Sequence, residues 1–158
     1  MRYPRGDGDG WARCDRGHRH WGVFGAAGLL LWHDGAVLLQ HRAEWSHHGG
    51  TWGLLGGARQ SQESAVEAAL REAREEGGVP ADAVRPEGEY DDAHGGWSYA
   101  TVIAQAVSAV LAHPTGRESI DVAWYPVGSV GDLELHPGFS EAWPLLRPAI
   151  AGLSLVVD

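Results

Sequence analysis

Positions 72, 75 and 76 of the chain are all glutamate, within the stretch "REAREEGG". At spacings of three and four they share one side of a helix, where carboxylates repel one another unless a cation compensates them. Hard carboxylate oxygens held this way suit Mg2+ or Mn2+. Gly56 and Gly57 stand upstream, and a glycine-rich loop leading into a helix offers backbone groups to a ligand. Phosphate together with a divalent metal is the chemistry both features share. The plainer reading of a bare acidic string is a solvated helix face, so the helix has to decide.

Placed on a helix over 64–76 at about 100° per residue, Ala65, Val66, Ala69, Leu70 and Ala73 form one apolar stripe. Glu67, Arg71 and Arg74 fall on the opposite, solvated side, with Glu67 and Arg71 in a favourable i, i+4 pairing. Glu72, Glu75 and Glu76 belong to neither face. They border the apolar stripe, and carboxylates at the margin of buried surface cost desolvation that a bound cation offsets. Ser64 and Ala68, both small, leave room on that flank for a ligand. Gly77 and Gly78, followed by Pro80, end the helix.

Gly57, Glu63, Arg71, Glu72, Glu75, Glu76, Gly78 and Val79 match the pattern Gx5Ex7REUxEExGU, and the stretch therefore resembles the Nudix box. Ala73 stands where the family usually has a larger aliphatic residue, and Leu55, in the lead-in "TWGLLGG", where a proline is common. The resemblance implies an α/β/α sandwich with a mixed sheet. It implies hydrolysis of a pyrophosphate linkage in a nucleoside diphosphate derivative, with Mg2+ or Mn2+ on the box helix. Glu75 and Glu76 are then the first metal ligands, and Glu72 a further ligand or the base that deprotonates water. Gly57 places a carbonyl near the metal, and Arg71 orients the acidic cluster together with Glu63. A later carboxylate often completes such a site; Glu118, ahead of Trp124, stands where that loop is expected, with Asp121 as a rival. Arg42 resembles the arginine that holds substrate phosphates in similar enzymes, a task that suits a guanidinium fork.

The elements that must position these residues read as follows. Residues 1–22 are rich in glycine and arginine without apolar periodicity and form an irregular N-terminal arm, leaving 23–158 as a single Nudix-type domain. A strand over 23–31, the turn "HDG" and a second strand "AVLLQHR" make a hairpin. Residues 43–53 form an aromatic, glycine-rich loop. The span 87–113 carries a strand after the loop "DDAHGG", "VAWYPV" at 122–127 another, and a helix over 140–150 is capped by Ser140 and limited by Pro148. Trp97, and with it Trp45, His47, His48, Trp52 and Tyr99, could line a cleft for a nucleobase. Cys14, His18 and His20 have spacings that suit a metal, against the ordinary reading of arm packing.

Composition narrows the function further. With 44% apolar and 21% charged residues over 158 positions the chain is that of one globular domain. Twelve basic against 21 acidic residues give a net charge of −9, which argues against nucleic acid or anionic membranes as partners. A small-molecule nucleotide is the expected partner, for a monomer or homodimer. The longest apolar run, residues 22–32, is shorter than the roughly 18–20 residues of a membrane span, and the start lacks an apolar leader, so the expected location is cytoplasmic. Two readings of function remain. One is a MutT-like hydrolase that releases a nucleoside monophosphate from a nucleoside triphosphate. The alternative is a noncatalytic nucleotide-binding regulator on the same fold, against which the complete acidic set weighs.

Overall fold

The structure is a computed structural model that describes residues 6–156, with side chains to residue 151. Apolar alternation builds its centre. Strand β3 (Ala26–His33) is buried along nearly its whole length, because helices cover both sides of the sheet it belongs to. Ala27, Leu29 and Leu31 point to one face, where Ala65, Ala68, Ala69 and Ala73 of helix α1 (Ala65–Gly77) meet them. Leu30 and Trp32 point to the other, against Phe139, Trp143, Leu146 and Ile150 of helix α2 (Pro137–Val156). The period-two alternation of one strand therefore feeds two cores, and the result is the expected α/β/α sandwich.

Strand β4 (Ala36–Arg42) returns antiparallel from β3 through Asp34 and Gly35, both at positive φ (50° and 80°), as a two-residue turn that follows the twist of the strands requires. The remaining strands are β5 (Trp52–Gly53), β6 (Leu55–Ala58), β7 (Val84–Ala93), β8 (Ser98–Ala106) and β9 (Ser119–Pro126). The sheet runs β5-β4-β3-β8-β7, with β6 paired to β3 and β9 to β4. Only the β3–β8 pairing is parallel among these, which makes the sheet mixed.

Three expectations change. The span 87–113 holds two strands, β7 and β8, because Gly95 and Gly96 (φ 59° and 81°) reverse the chain after Ala93; the aspartates 91 and 92 lie in β7 rather than in a loop. Helix α2 starts at Pro137, three residues before Ser140, and runs through Pro144 and Pro148. Both prolines are on its exposed face, so the buried stripe continues beneath them, and packing of that stripe outweighs the roughly 3 kcal/mol that an interior proline costs. The arm is not irregular throughout: β1 (Trp11–Arg13) and β2 (Arg19–Trp21) pair as a separate antiparallel ribbon. Residues 1–5 of that arm and 157–158 of the domain lie outside the described residues. Among the described residues no helix is long and apolar enough to cross a membrane.

Candidate active site

Helix α1 begins at Ser64 with a capping box. The Ser64 hydroxyl accepts from the Glu67 N–H at 3.1 Å, and the Glu67 carboxylate accepts from the Ser64 N–H at 2.9 Å. It ends at Gly78 in the left-handed conformation (φ 68°). With both ends fixed, the positions of the glutamates are set relative to β6. Glu72 and Glu76 are 1% and 7% exposed, so they are buried under the chain rather than at its margin. Glu76 accepts from the Gly56 N–H at 2.9 Å and from Gln40 Nε2 at 3.3 Å. Gly57 lies so close to Glu72 that a Cβ there would stand 2.6 Å from the carboxylate, and only glycine allows this approach. Leu55 is buried at 1% exposure in the core beneath α1, where its side chain packs against Gly77.

Arg71 corrects the helical-wheel reading. Its guanidinium leaves the solvated side and reaches Glu63 through Nε (2.7 Å) and Nη2 (2.9 Å), Glu72 and Glu75 through Nη1 (3.1 and 3.4 Å), and the Ala58 carbonyl through Nη2 (3.0 Å). Glu67 is engaged at the helix cap instead. A long side chain leans toward the preceding turn, and there a fork finds two-point contact that a 3.6-residue wheel does not display. The hydrogen bonds from Arg71 hold the Glu63 carboxyl below its ordinary value of 4.5; Glu63 in turn is the main cause that raises the Arg71 pKa. Tyr99, on β8, is kept neutral by burial and then by the charge of Glu76.

A cleft of about 990 Å3 opens over this face. Glu72, Glu75, Glu76 and Arg71 line one wall, Glu118 and Ser119 stand at the start of β9, and Trp45 and Gln60 complete the rim. Thr115 fixes the approach of the 114–119 segment, its hydroxyl donating to the Glu75 carbonyl and its N–H to that of Glu76 at 3.1 Å. Asp121 accepts from its neighbour's N–H at 2.8 Å and does not line the cleft. The donor set is all oxygen and dense in carboxylate, with the Arg71 guanidinium bonded to it and Arg117 also on the cleft wall. That set fits a hard divalent cation and not a soft one.

Two expected substrate residues lie elsewhere. Arg42 donates through Nε and Nη2 to the His47 carbonyl at 3.0 and 2.9 Å, closing the 43–51 loop, and does not line the cleft. Trp97 donates from its indole to the Gly22 carbonyl at 2.8 Å and stacks on His20 at 4.0 Å; it seats the arm. Trp52 stacks on His41 at 4.5 Å. Trp45, 54% exposed, is the aromatic face at the cleft.

Several contributors escaped the sequence reading. Gln40, 1% exposed and directly after the buried run Val37, Leu38 and Leu39, bridges Glu76 and Ser119 Oγ (2.7 Å), and a lone amide in "AVLLQHR" is the signal that marks it. Asp7 and Asp9 hold Ser61 and Gln60 at the rim; partners more than 50 residues apart leave no local signal.

Comparison with known proteins identifies the family and the fold. The family profile described as NUDIX domain matches residues 23–147. The chain is 48% identical over 164 residues to "Putative 8-oxo-dGTP diphosphatase 3" of Mycobacterium tuberculosis, covering 96% of this chain and 74% of that protein. It is similar to the crystal structure of RenU, a Nudix hydrolase from M. smegmatis, at 46% identity and a TM-score of 0.84, over 92% of this chain and 96% of that one. A MutT protein from Methanosarcina mazei shares the fold at 20% identity and a TM-score of 0.62, over 80% and 94% of the two chains. A complete box on a sandwich that aims its carboxylates into one cleft, together with these matches, shows that the chain belongs to the Nudix family of MutT-like pyrophosphohydrolases.

Proposed function

We propose that the chain is a divalent-metal-dependent hydrolase of nucleoside triphosphates that releases a nucleoside monophosphate and pyrophosphate, with oxidised guanine nucleotides as its first substrates. One observation carries the reading: Glu72, Glu75 and Glu76 converge with Arg71 on one wall of a cleft of about 990 Å3. The name of the M. tuberculosis relative supports the substrate class.

Glu75 and Glu76, with the Gly57 carbonyl and Glu118, are the residues that would hold Mg2+ or Mn2+. When bound, the metal neutralises charge on the phosphate oxygens and lowers the pKa of water. Gln40 and the Gly56 N–H fix the Glu76 carboxylate beforehand, so no reorganisation is needed as charge develops. Glu72, against Gly57 and Arg71, either adds a ligand or takes the proton of the attacking water. Trp45 offers a face on which the base can stack.

The test is a hydrolysis screen with Mg2+ or Mn2+ across nucleoside triphosphates, oxidised guanine nucleotides, ADP-ribose and dinucleoside polyphosphates. Metal-dependent release of a monophosphate is expected, with Glu76→Gln lowering kcat/KM by about three orders of magnitude, the scale of several kcal/mol of charge stabilisation, at unchanged circular dichroism. Binding of a nucleotide without turnover would replace this reading with that of a noncatalytic regulator. Glu72→Gln separates its two roles: a ligand loss is rescued by raising the metal concentration, a base loss is not.

A further inference from the structure

Remote from the carboxylate cluster, three metal-ligating side chains meet where the arm sits on the sheet. Cys14 follows β1, His20 lies in β2, and His94 opens the β7–β8 turn. Cys14 Sγ and one ring nitrogen of each histidine lie within 4.8 Å of one another. Cys14 is buried, at 5% exposure.

The polar atoms of this pocket are incompletely used. His20 Nε2 and His94 Nδ1 are both buried with no hydrogen-bond partner, a state that costs about 1–3 kcal/mol per atom unless a ligand relieves it. On His94, Nε2 faces the Asp92 carboxylate at 3.0 Å. A carboxylate only accepts, so Nε2 carries the hydrogen and Nδ1 presents its lone pair inward. This carboxylate–histidine arrangement is the one that orients metal-bound imidazoles. His20 is held in turn by stacking on Trp97.

We propose that Cys14, His20 and His94 form a structural zinc site that fastens the N-terminal ribbon to the β7–β8 turn. One thiolate and two imidazoles are a zinc donor set, distinct from the all-oxygen set at the cleft. Zn–S near 2.3 Å and Zn–N near 2.0–2.1 Å put ligand atoms about 3.3–3.6 Å apart, inside the 4.8 Å within which the three atoms already lie. The fourth position falls to water or to His18, whose ring centre is 6.5 Å from that of His20. Binding releases the Cys14 thiol proton to solvent as the sulfur–zinc bond forms. The sequence alone suggested Cys14, His18 and His20; the fold replaces His18 with a residue 80 positions from Cys14. The consequence reaches the active site, because the arm that the ion would fasten also places Asp7 and Asp9 on Ser61 and Gln60 at the cleft.

The experiment uses the full chain. Metal-free protein is titrated with Co2+, and zinc-loaded protein is desalted and its metal content measured by mass spectrometry. A thiolate-to-cobalt charge-transfer band and about one retained zinc per chain are expected, the first set by the thiolate ligand and the second by three protein ligands on one ion. The chain has one cysteine, so the band reports Cys14 alone. Cys14→Ser and His94→Ala abolish zinc retention, and Asp92→Asn weakens zinc affinity about 10- to 100-fold. Absence of the cobalt band in the native chain overturns the proposal, and that result needs no variant to fold. So does zinc that is retained in Cys14→Ser but lost in Glu76→Gln, which would place the ion at the carboxylate cluster.

Discussion

Arg71 is the side chain on which the acidic cluster turns, because a single guanidinium touches Glu63, Glu72, Glu75 and the Ala58 carbonyl at once. Lysine keeps the charge but has no planar fork. Arg71→Lys is therefore expected to lose stability by about 1–3 kcal/mol, the scale of charged hydrogen bonds left unmade in a part-buried site, and to lower turnover as the carboxylates lose their orientation. Urea denaturation and initial rates measure the two. The variant also changes the acid limb. In the native chain the folded pKa of Glu63 lies below its ordinary 4.5, so its contribution is present above pH 4.5 and lost as pH falls through the folded value. Arg71→Lys weakens that dependence, since Arg71 is its first cause; an unchanged acid limb would remove Glu63 from the account.

At the scale of elements, the first turn of α2 is held by His136. Its carbonyl accepts from the Ser140 N–H at 2.8 Å, and its Nδ1 accepts from the Gly138 N–H at 3.0 Å. Only the neutral ring can accept there. Burial first, then the positive charge of Arg42 and the rings of His48 and His47, push its pKa down to about 3 from 6.5. The unfolded chain then binds the proton that the folded chain refuses. Stability is full above pH 6.5 and declines as pH falls from 6.5 toward 3. His136→Asn retains a short capping side chain without a titrating ring. Denaturation at pH 7.5 and pH 5 is expected to show a larger loss in the native chain than in the variant, and equal losses would assign the titration to another histidine.

For the whole molecule, a net charge of −9 and two buried box glutamates mean that the folded chain carries repulsion that the proposed divalent cation would relieve. A cation that binds the folded state alone stabilises it by about 2.7 kcal/mol at 100 times its Kd. Mg2+ should raise the Tm of the native chain in a concentration-dependent way and raise that of Glu76→Gln much less. Thermal unfolding across a MgCl2 series, at constant ionic strength so that screening is equal, measures this; identical shifts in both proteins would show that Glu76 does not hold the ion.

What the sequence by itself determined was local: the box spacing, the apolar stripe of α1, the β3–β4 hairpin with its Asp34–Gly35 turn, and the acidic face that implies a metal. Each rests on periodicity or turn chemistry within about a dozen residues, where backbone geometry alone relates side chains. The tertiary structure decided the rest. It turned Arg71 inward, set Gln40 beside Glu76, gave Arg42 and Trp97 to the loop and the arm, and split 87–113 at Gly95. It also joined Cys14 to His94 and Gln60 to Asp9. Those pairings depend on which strands neighbour one another across the sheet, and a contact between residues 50 or 80 positions apart is created by burial of the two cores rather than by anything in the chain beside them.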